Sequence, residues 1–194
     1  MTLKKEHSGS EETLEQGASS LVVKAETPVY GGYVLGRNGK VIFIKGAIPG
    51  EVVDISIEEK KRDYTLASVK TVIEPSPSRR IPPCPVFGIC GGCQLQFIEY
   101  GMQTSMKEEI LRDAMRRIAD REVSLMPSLT GKEFGYRQRA QFKISQDGRI
   151  GFYREGTRDI VAVETCPVMC DAVNAALKTF RTLDLRGVKE IHVA

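Results

Sequence analysis

The sequence predicts an α+β protein: a small five-stranded β-barrel of the OB-like type, a cysteine-bearing loop, and then an antiparallel sheet with helices. Three observations carry this. Short β-type runs separated by glycine turns fill residues 21–75, a proline-rich segment breaks the chain at 76–83, and a helical period followed by period-two alternation occupies 84–194.

The first 20 residues are rich in Glu, Ser, Gly and Lys and contain no aromatic side chain, the composition of a disordered tail. The runs LVVKAE, YVLG, KVIFIKG, EVVDISIEE and TLASVKTVIE then supply five strands, with Asn38-Gly39 as a hairpin signal and Pro49-Gly50 as a second turn. Five strands in about 55 residues suit a closed or nearly closed barrel. The glycines of GGYVLGRNG are not a phosphate-binding loop, because strands lie on both sides and no helix follows. Such barrels bind single-stranded nucleic acid on a basic, aromatic-bearing face. Here Tyr33, Arg37, Lys40, Lys45, Lys60, Lys61, Arg62 and Tyr64 offer one, although Lys60 to Arg62 also reads as a hairpin tip kept soluble by charge.

Glu74–Pro83 holds four prolines in ten residues, so neither a ladder nor a helix continues through it. It delivers an extended chain to Cys84. A helix follows, with Met102, Met106, Ile110, Ala114 and Ile118, and Leu111 and Met115 alongside, on one apolar stripe through about Ala119 and the pairs Glu108/Arg112 and Asp113/Arg117 outside. YRQRAQFKIS, GRIGFYRE and RDIVAVE form an antiparallel sheet turned at Asp147-Gly148. On its first strand Arg137, Arg139, Gln141 and Lys143 share a cationic face suited to phosphate, opposite Tyr136, Ala140, Phe142 and Ile144. A second helix spans about Cys170–Leu183, and GVKEIHVA starts a strand with no visible partner after it.

Bulk composition is that of an ordinary globular protein, with 41% apolar and 27% charged residues and a net charge of +3. Outside Met1–Ser20, 26 basic residues face 21 acidic ones, a modest basic bias that permits a nucleic-acid partner. No apolar run reaches membrane-spanning length and no signal-peptide pattern opens the chain, so the expectation is a cytoplasmic protein without a membrane partner.

Five cysteines in a reducing compartment point to metal rather than disulfides. Three are clustered as Cys84-x5-Cys90-x2-Cys93, and Cys166, 73 positions on, repeats the Cys-Pro step of Cys84-Pro85. Three local ligands plus one distant one suit a cubane iron–sulfur cluster, with zinc and unliganded thiols as the alternatives. Gly88, Gly91 and Gly92 are expected to supply unusual dihedrals and backbone N–H groups aimed at sulfur. Cys170, at the start of a helix, reads as a semi-buried thiol.

From Tyr30 to its end the chain resembles the N-terminal half of the RNA 5-methyluridine methyltransferases, the 23S rRNA uracil-5-methyltransferase family with a TRAM domain and a [4Fe-4S] cluster. The likeness runs through Gly39–Val52, Lys60–Ala67, Pro75–Gln96, Tyr100–Lys107, Tyr136–Phe142 and Gly151–Val168; the cysteine block is its most specific part. The resemblance implies ligands at Cys84, Cys90, Cys93 and Cys166, a structural cluster, and rRNA as partner. Thr157-Arg158 departs from the family's usual Ser-His without touching a ligand. It also implies that methyl transfer from S-adenosylmethionine belongs to a C-terminal Rossmann-like domain, where a cysteine adds to uracil C6 and a carboxylate later removes the C5 proton. This chain has no glycine-rich strand-to-helix turn for that cofactor, so the expectation is a truncated or split form, inactive alone, with no catalytic residues of its own. A separate polypeptide carrying the methyltransferase domain would then be its partner. A free-standing RNA-binding or redox-sensing module is the competing expectation. A methylthiotransferase relative is disfavoured, since Cys-x3-Cys-x2-Cys is absent.

Overall fold

The computed structural model describes residues 21–194, and the expected disordered tail lies outside them. The chain is α+β, with two sheets and two helices. Strands β1 (Leu21–Lys24), β2 (Thr27–Val29), β3 (Tyr33–Asn38), β4 (Lys40–Lys45), β5 (Val52–Lys60) and β6 (Tyr64–Glu74) form one sheet in the order β1-β5-β6-β4-β3-β2. Six strands stand where five were expected, because LVVKAE and the residues after it divide into β1 and β2. The Glu26 N–H between them already donates to Leu35 of β3 at 2.7 Å.

Turns fall where their residues demand them. Gly39 at φ 72° closes β3 onto β4, and Gly50 at φ 95° leads into β5. Such a backbone is open to glycine at no steric cost. Register shifts between β5 and β6 mark bulges that curl this long pair, while β4 and β6 pair in parallel with Phe43 opposite Leu66. Alternation sends Val34, Ile42, Ile44, Val53, Ile55 and Ala67 inward, all fully or almost fully buried.

That core does not stop at the proline segment. Phe97, Ile98 and Met106 join the same cluster, so the loop after the cysteines and the start of α1 (Tyr100–Ala119) pack against the first sheet. The proline segment itself is pinned from both sides. Glu51, fully buried, accepts bonds from the Ile48 and Ser76 N–H groups at 2.8 and 3.1 Å and a bidentate pair from Arg79 at 2.6 and 2.7 Å. The Arg79 guanidinium also lies 4.8 Å from the centre of the Phe97 ring. Arg80 donates to the Gln96 carbonyl at 3.0 Å and pairs with Glu133.

Helix α1 departs from the expected continuous stripe. Met106 is buried and Met102 packs beside it, but Leu111 and Ile118 are exposed, since only the first half of the helix lies on the sheet. Both expected ion pairs form, Glu108 with Arg112 and Asp113 with Arg117, and Asp120 ends the helix in the left-handed region at φ 51°.

The second sheet orders β7 (Ala140–Ile144), β8 (Ile150–Tyr153), β9 (Ile160–Ala162) and β10 (Glu190–Val193) as β10-β7-β8-β9. Phe142, Ile144, Ile150 and Val163 meet Val173 and Leu177 of α2 (Asp171–Phe180) and Leu185 in its core. Two sequence expectations are corrected here. GVKEIHVA does have a partner: β10 lies antiparallel to β7, with Ile191 opposite Phe142. And β7 begins at Ala140, because the preceding residues are drawn onto the Cys166–Cys170 segment. The Arg137 N–H donates to Val168 at 2.8 Å, and the Arg137 carbonyl accepts from Cys170 at 2.9 Å. Arg137 and Arg139 therefore stand off the sheet face that Gln141 and Lys143 share.

Candidate functional site

The cysteine loop is a series of tight turns leaning on the second sheet. The Val86 carbonyl accepts from the Ile89 and Cys90 N–H groups at 3.1 and 2.9 Å, and the Cys84 carbonyl from Phe87 at 3.1 Å. The Gly91 N–H then donates to Tyr153 at 3.0 Å and the Glu155 N–H to Ile89 at 3.1 Å, fastening the loop to the end of β8. Of the three loop glycines only Gly88, at φ 79°, adopts a left-handed backbone. Gly91 is needed for closeness instead: a Cβ there would sit 3.2 Å from the Glu155 Cα. The Gly92 N–H lies near the Cys90 sulfur, whereas the Gly91 N–H is taken by Tyr153 and not by sulfur.

Cys166 reaches the same place from the other side of the chain, and Asn174 sets it there. The Asn174 side chain accepts from the Cys166 N–H at 2.9 Å and donates to the Cys166 and Met169 carbonyls, both at 3.1 Å. The Val168 N–H lies near the Cys166 sulfur, and the Met169 N–H donates to the Cys166 carbonyl at 3.0 Å. Sequence reading missed Asn174. Its signal was available, an amide one turn inside α2 and eight positions past the cysteine, but the spacing means nothing until the helix folds back.

Cys84, Cys90, Cys93 and Cys166 line one cavity of about 40 Å3, walled by Val86, Phe87, Phe152, Val163 and Val168. Burial pushes the Cys90 and Cys166 thiols up, and the neighbouring thiols add to it against the N–H groups that face each sulfur. Such thiols ionise readily only beside a cation. Among the described residues no group of three or more His, Cys, Asp or Glu side chains is gathered as a site for a single metal ion.

Gln96 lines the same wall and is 6% exposed, yet neither its Nε2 nor its Oε1 has a partner. Leaving a buried amide unpaired costs about 1–3 kcal/mol, so a native wall that keeps one carries an unfilled polar demand. Four soft donors, inward N–H groups and an orphaned amide together fit a sulfur-rich inorganic group. Cys170, by contrast, is half-buried at the N-cap position of α2, makes no side-chain cap hydrogen bond, and packs against the second core.

A second feature lies on the outer face of the first sheet. Tyr33, Phe43 and Tyr64 form an edge-to-face row with ring centres 6.4 and 5.3 Å apart. Tyr33 and Tyr64 were expected there; Phe43 was passed over as one more apolar residue of KVIFIK. Strand alternation is its signal, since Val41, Phe43 and Lys45 point opposite to the buried Ile42 and Ile44.

The cations expected around this row are placed unevenly. Arg37 pairs with Glu26 at 3.5 Å, Lys45 with Glu155, Lys61 with Glu59 and Arg62 with Asp63 at 3.2 Å. Lys40 donates to the Arg62 carbonyl at 3.0 Å, and Lys60 ends β5 at the hairpin tip. In the second sheet, Lys143 pairs with Glu190 of β10 and lies 5.5 Å from the Tyr153 ring centre. Lys143 first, then His192, holds the Glu190 carboxyl well below its usual range. Arg137 lines the cysteine cavity and, with Arg139, a broad open groove beside β10. No helix among the described residues is long and apolar enough to cross a membrane.

Residues 23–70 match the TRAM domain family. A protein of Aquifex aeolicus (strain VF5) named as an uncharacterized RNA methyltransferase is 40% identical over 178 residues, covering 89% of this chain and 42% of that protein. The 23S rRNA (uracil(1939)-C(5))-methyltransferase RlmD of Shewanella amazonensis is 35% identical over 153 residues, covering 76% of this chain and 34% of that one. The crystal structure of Pyrococcus abyssi tRNA (uracil-54, C5)-methyltransferase with S-adenosyl-L-homocysteine matches at a TM-score of 0.53 and 25% identity, over 82% of this chain and 36% of its own. The chain thus carries a TRAM domain and is homologous, over most of its length, to the 23S rRNA uracil-C5 methyltransferases. It spans between about a third and two-fifths of the length of these relatives.

Proposed function

We propose that this chain is the RNA-recognition and [4Fe-4S]-bearing portion of an S-adenosylmethionine-dependent rRNA (uracil-C5) methyltransferase. The observation that carries the reading is the convergence of Cys84, Cys90, Cys93 and Cys166 on one cavity, three from a single loop and one from 73 positions away. A cubane takes one thiolate at each of four irons, so it needs donors spread round a wall, whereas structural zinc needs four on one tetrahedron. When bound, the cluster supplies a rigid cross-link between the cysteine loop and the second sheet. The residues of this chain do the rest: Asn174 holds Cys166 in place, the Gly92 and Val168 N–H groups lie near sulfur, and Phe152 and Val163 keep water away.

The first sheet, taken as an OB-like barrel, binds single-stranded RNA. Bases stack on Tyr33, Phe43 and Tyr64, with Arg37 and Lys45 on the same face and Lys40, Lys60, Lys61 and Arg62 at the hairpin end contacting phosphate. Arg137 and Arg139 extend the contact beside β10, while Lys143, paired with Glu190 and with a side chain only 16% exposed, contributes least. We assign methyl transfer, and S-adenosylmethionine with it, to the length of the relatives that this chain does not span. We place the protein in the cytoplasm.

Anaerobic reconstitution tests the reading. About four irons and four sulfides per chain are expected, with a brown colour. Uridine-containing RNA should bind with an affinity that falls steeply with salt. A colourless protein that keeps zinc and takes up no iron would overturn the cluster assignment.

A further inference from the structure

Gln96 is the one side chain among the described residues whose buried polar atoms are both without a hydrogen-bond partner. Three facts fix where it points. Its carbonyl is held by Arg80 at 3.0 Å, its successors Phe97 and Ile98 are sunk in the first core, and its side chain lines the cavity shared by the four cysteines. The backbone is therefore locked on one side and the amide delivered to the other. The remaining wall is mainly apolar carbon from Val86, Phe87, Phe152 and Val163. An amide placed there meets no protein acceptor, and removing it from water without a partner is costly.

We infer that the Gln96 side-chain N–H donates a hydrogen bond to a sulfur of the bound cluster, and thereby tunes the cluster's reduction potential. The inference rests on the cluster reading above. An electron-rich sulfide or thiolate takes the donor half of the amide, and no other polar side chain of the wall is as deeply buried. Donors to sulfur favour the reduced, more negative state over the oxidised one, which raises the potential. Gln96 is a positioning and tuning residue; it holds no metal itself. Its side-chain donor adds to the main-chain N–H groups of Gly92 and Val168 near the sulfurs, which no ordinary substitution removes.

The test compares the reconstituted full chain with Gln96→Met, which keeps length and volume but has no donor. The midpoint potential is read by spectroelectrochemical titration, alongside iron content. The expected result is unchanged iron per chain and a potential lowered by on the order of tenfold in the redox equilibrium constant, about 59 mV for one electron. Should Gln96→Met fail to retain iron, Gln96→Asn, which retracts the amide by one methylene, is expected to shift the potential in the same direction. An iron-loaded variant with the wild-type potential overturns the role of Gln96 and leaves the cluster standing. A wild-type chain that takes up no iron sinks both.

Discussion

The Glu51–Arg79 pair ties the first sheet to the segment that delivers Cys84, and its removal should be felt well beyond one ion pair. Glu51 is fully buried and accepts from two main-chain N–H groups as well as both arms of Arg79, whose side chain is 23% exposed. Replacing it by alanine strands the Ile48 and Ser76 N–H groups and leaves a guanidinium mostly out of water. Breaking one side of a buried pair costs about 3–5 kcal/mol, and the partial exposure of Arg79 places this case near 3. For a chain of this size that is a drop of roughly 6–12 °C in Tm. Burial pushes the Glu51 carboxyl up, but the bonds from Arg79, Ser76 and Ile48 outweigh it, so the net shift is downward from 4.5. A depressed carboxylate contributes stability that is present above its unfolded pKa and is lost as pH falls through the folded one. Thermal melts from pH 7 down to pH 3 should therefore show a steeper acid loss in the wild type than in Glu51→Gln. A Glu51→Ala cost below about 1 kcal/mol, or parallel acid profiles, would refute the reasoning.

Cys166→Ser should lose most of the bound iron, whereas Cys170→Ser should keep it, as measured by iron content after anaerobic reconstitution; equal losses would mean that Cys170 serves as a ligand. Asn174→Leu removes three hydrogen bonds from the Cys166 segment, worth about 0.5–1.5 kcal/mol each, and should speed chelator-driven iron release by tenfold or more. Phe43→Ala takes out the middle of the aromatic row and should weaken oligouridine binding by about 1–3 kcal/mol in a fluorescence titration, leaving the salt slope nearly unchanged. Lys60→Ala should do the reverse, lowering the salt slope with a smaller loss of affinity.

Residue spacing alone made a good deal of this protein legible. Asn38-Gly39, Pro49-Gly50 and Asp147-Gly148 mark turns because few other residues take the backbone they need, and the structure puts turns at all three. Phe142 lies between polar Gln141 and Lys143 and is buried as its period requires. The two ion pairs of α1 followed from i,i+4 geometry, and the three-plus-one arrangement of cysteines from spacing and one repeated Cys-Pro step.

What needed the folded chain was anything decided between distant segments. Whether Leu111 and Ile118 are covered depends on how far the first sheet extends beside α1, and no local period encodes that. Lys143 reads as an available cation until β10 sets Glu190 opposite it, and Arg137 reads as a sheet residue until Val168 and Cys170 draw off its backbone. Asn174 and Gln96 are ordinary polar residues in the sequence; only packing turns one into a clamp on Cys166 and leaves the other unpaired at the cavity wall. Local periodicity and turn chemistry act over a few residues, so a sequence states them directly. Burial and pairing across a hundred residues depend on the relative placement of whole elements, and only the tertiary structure supplies it.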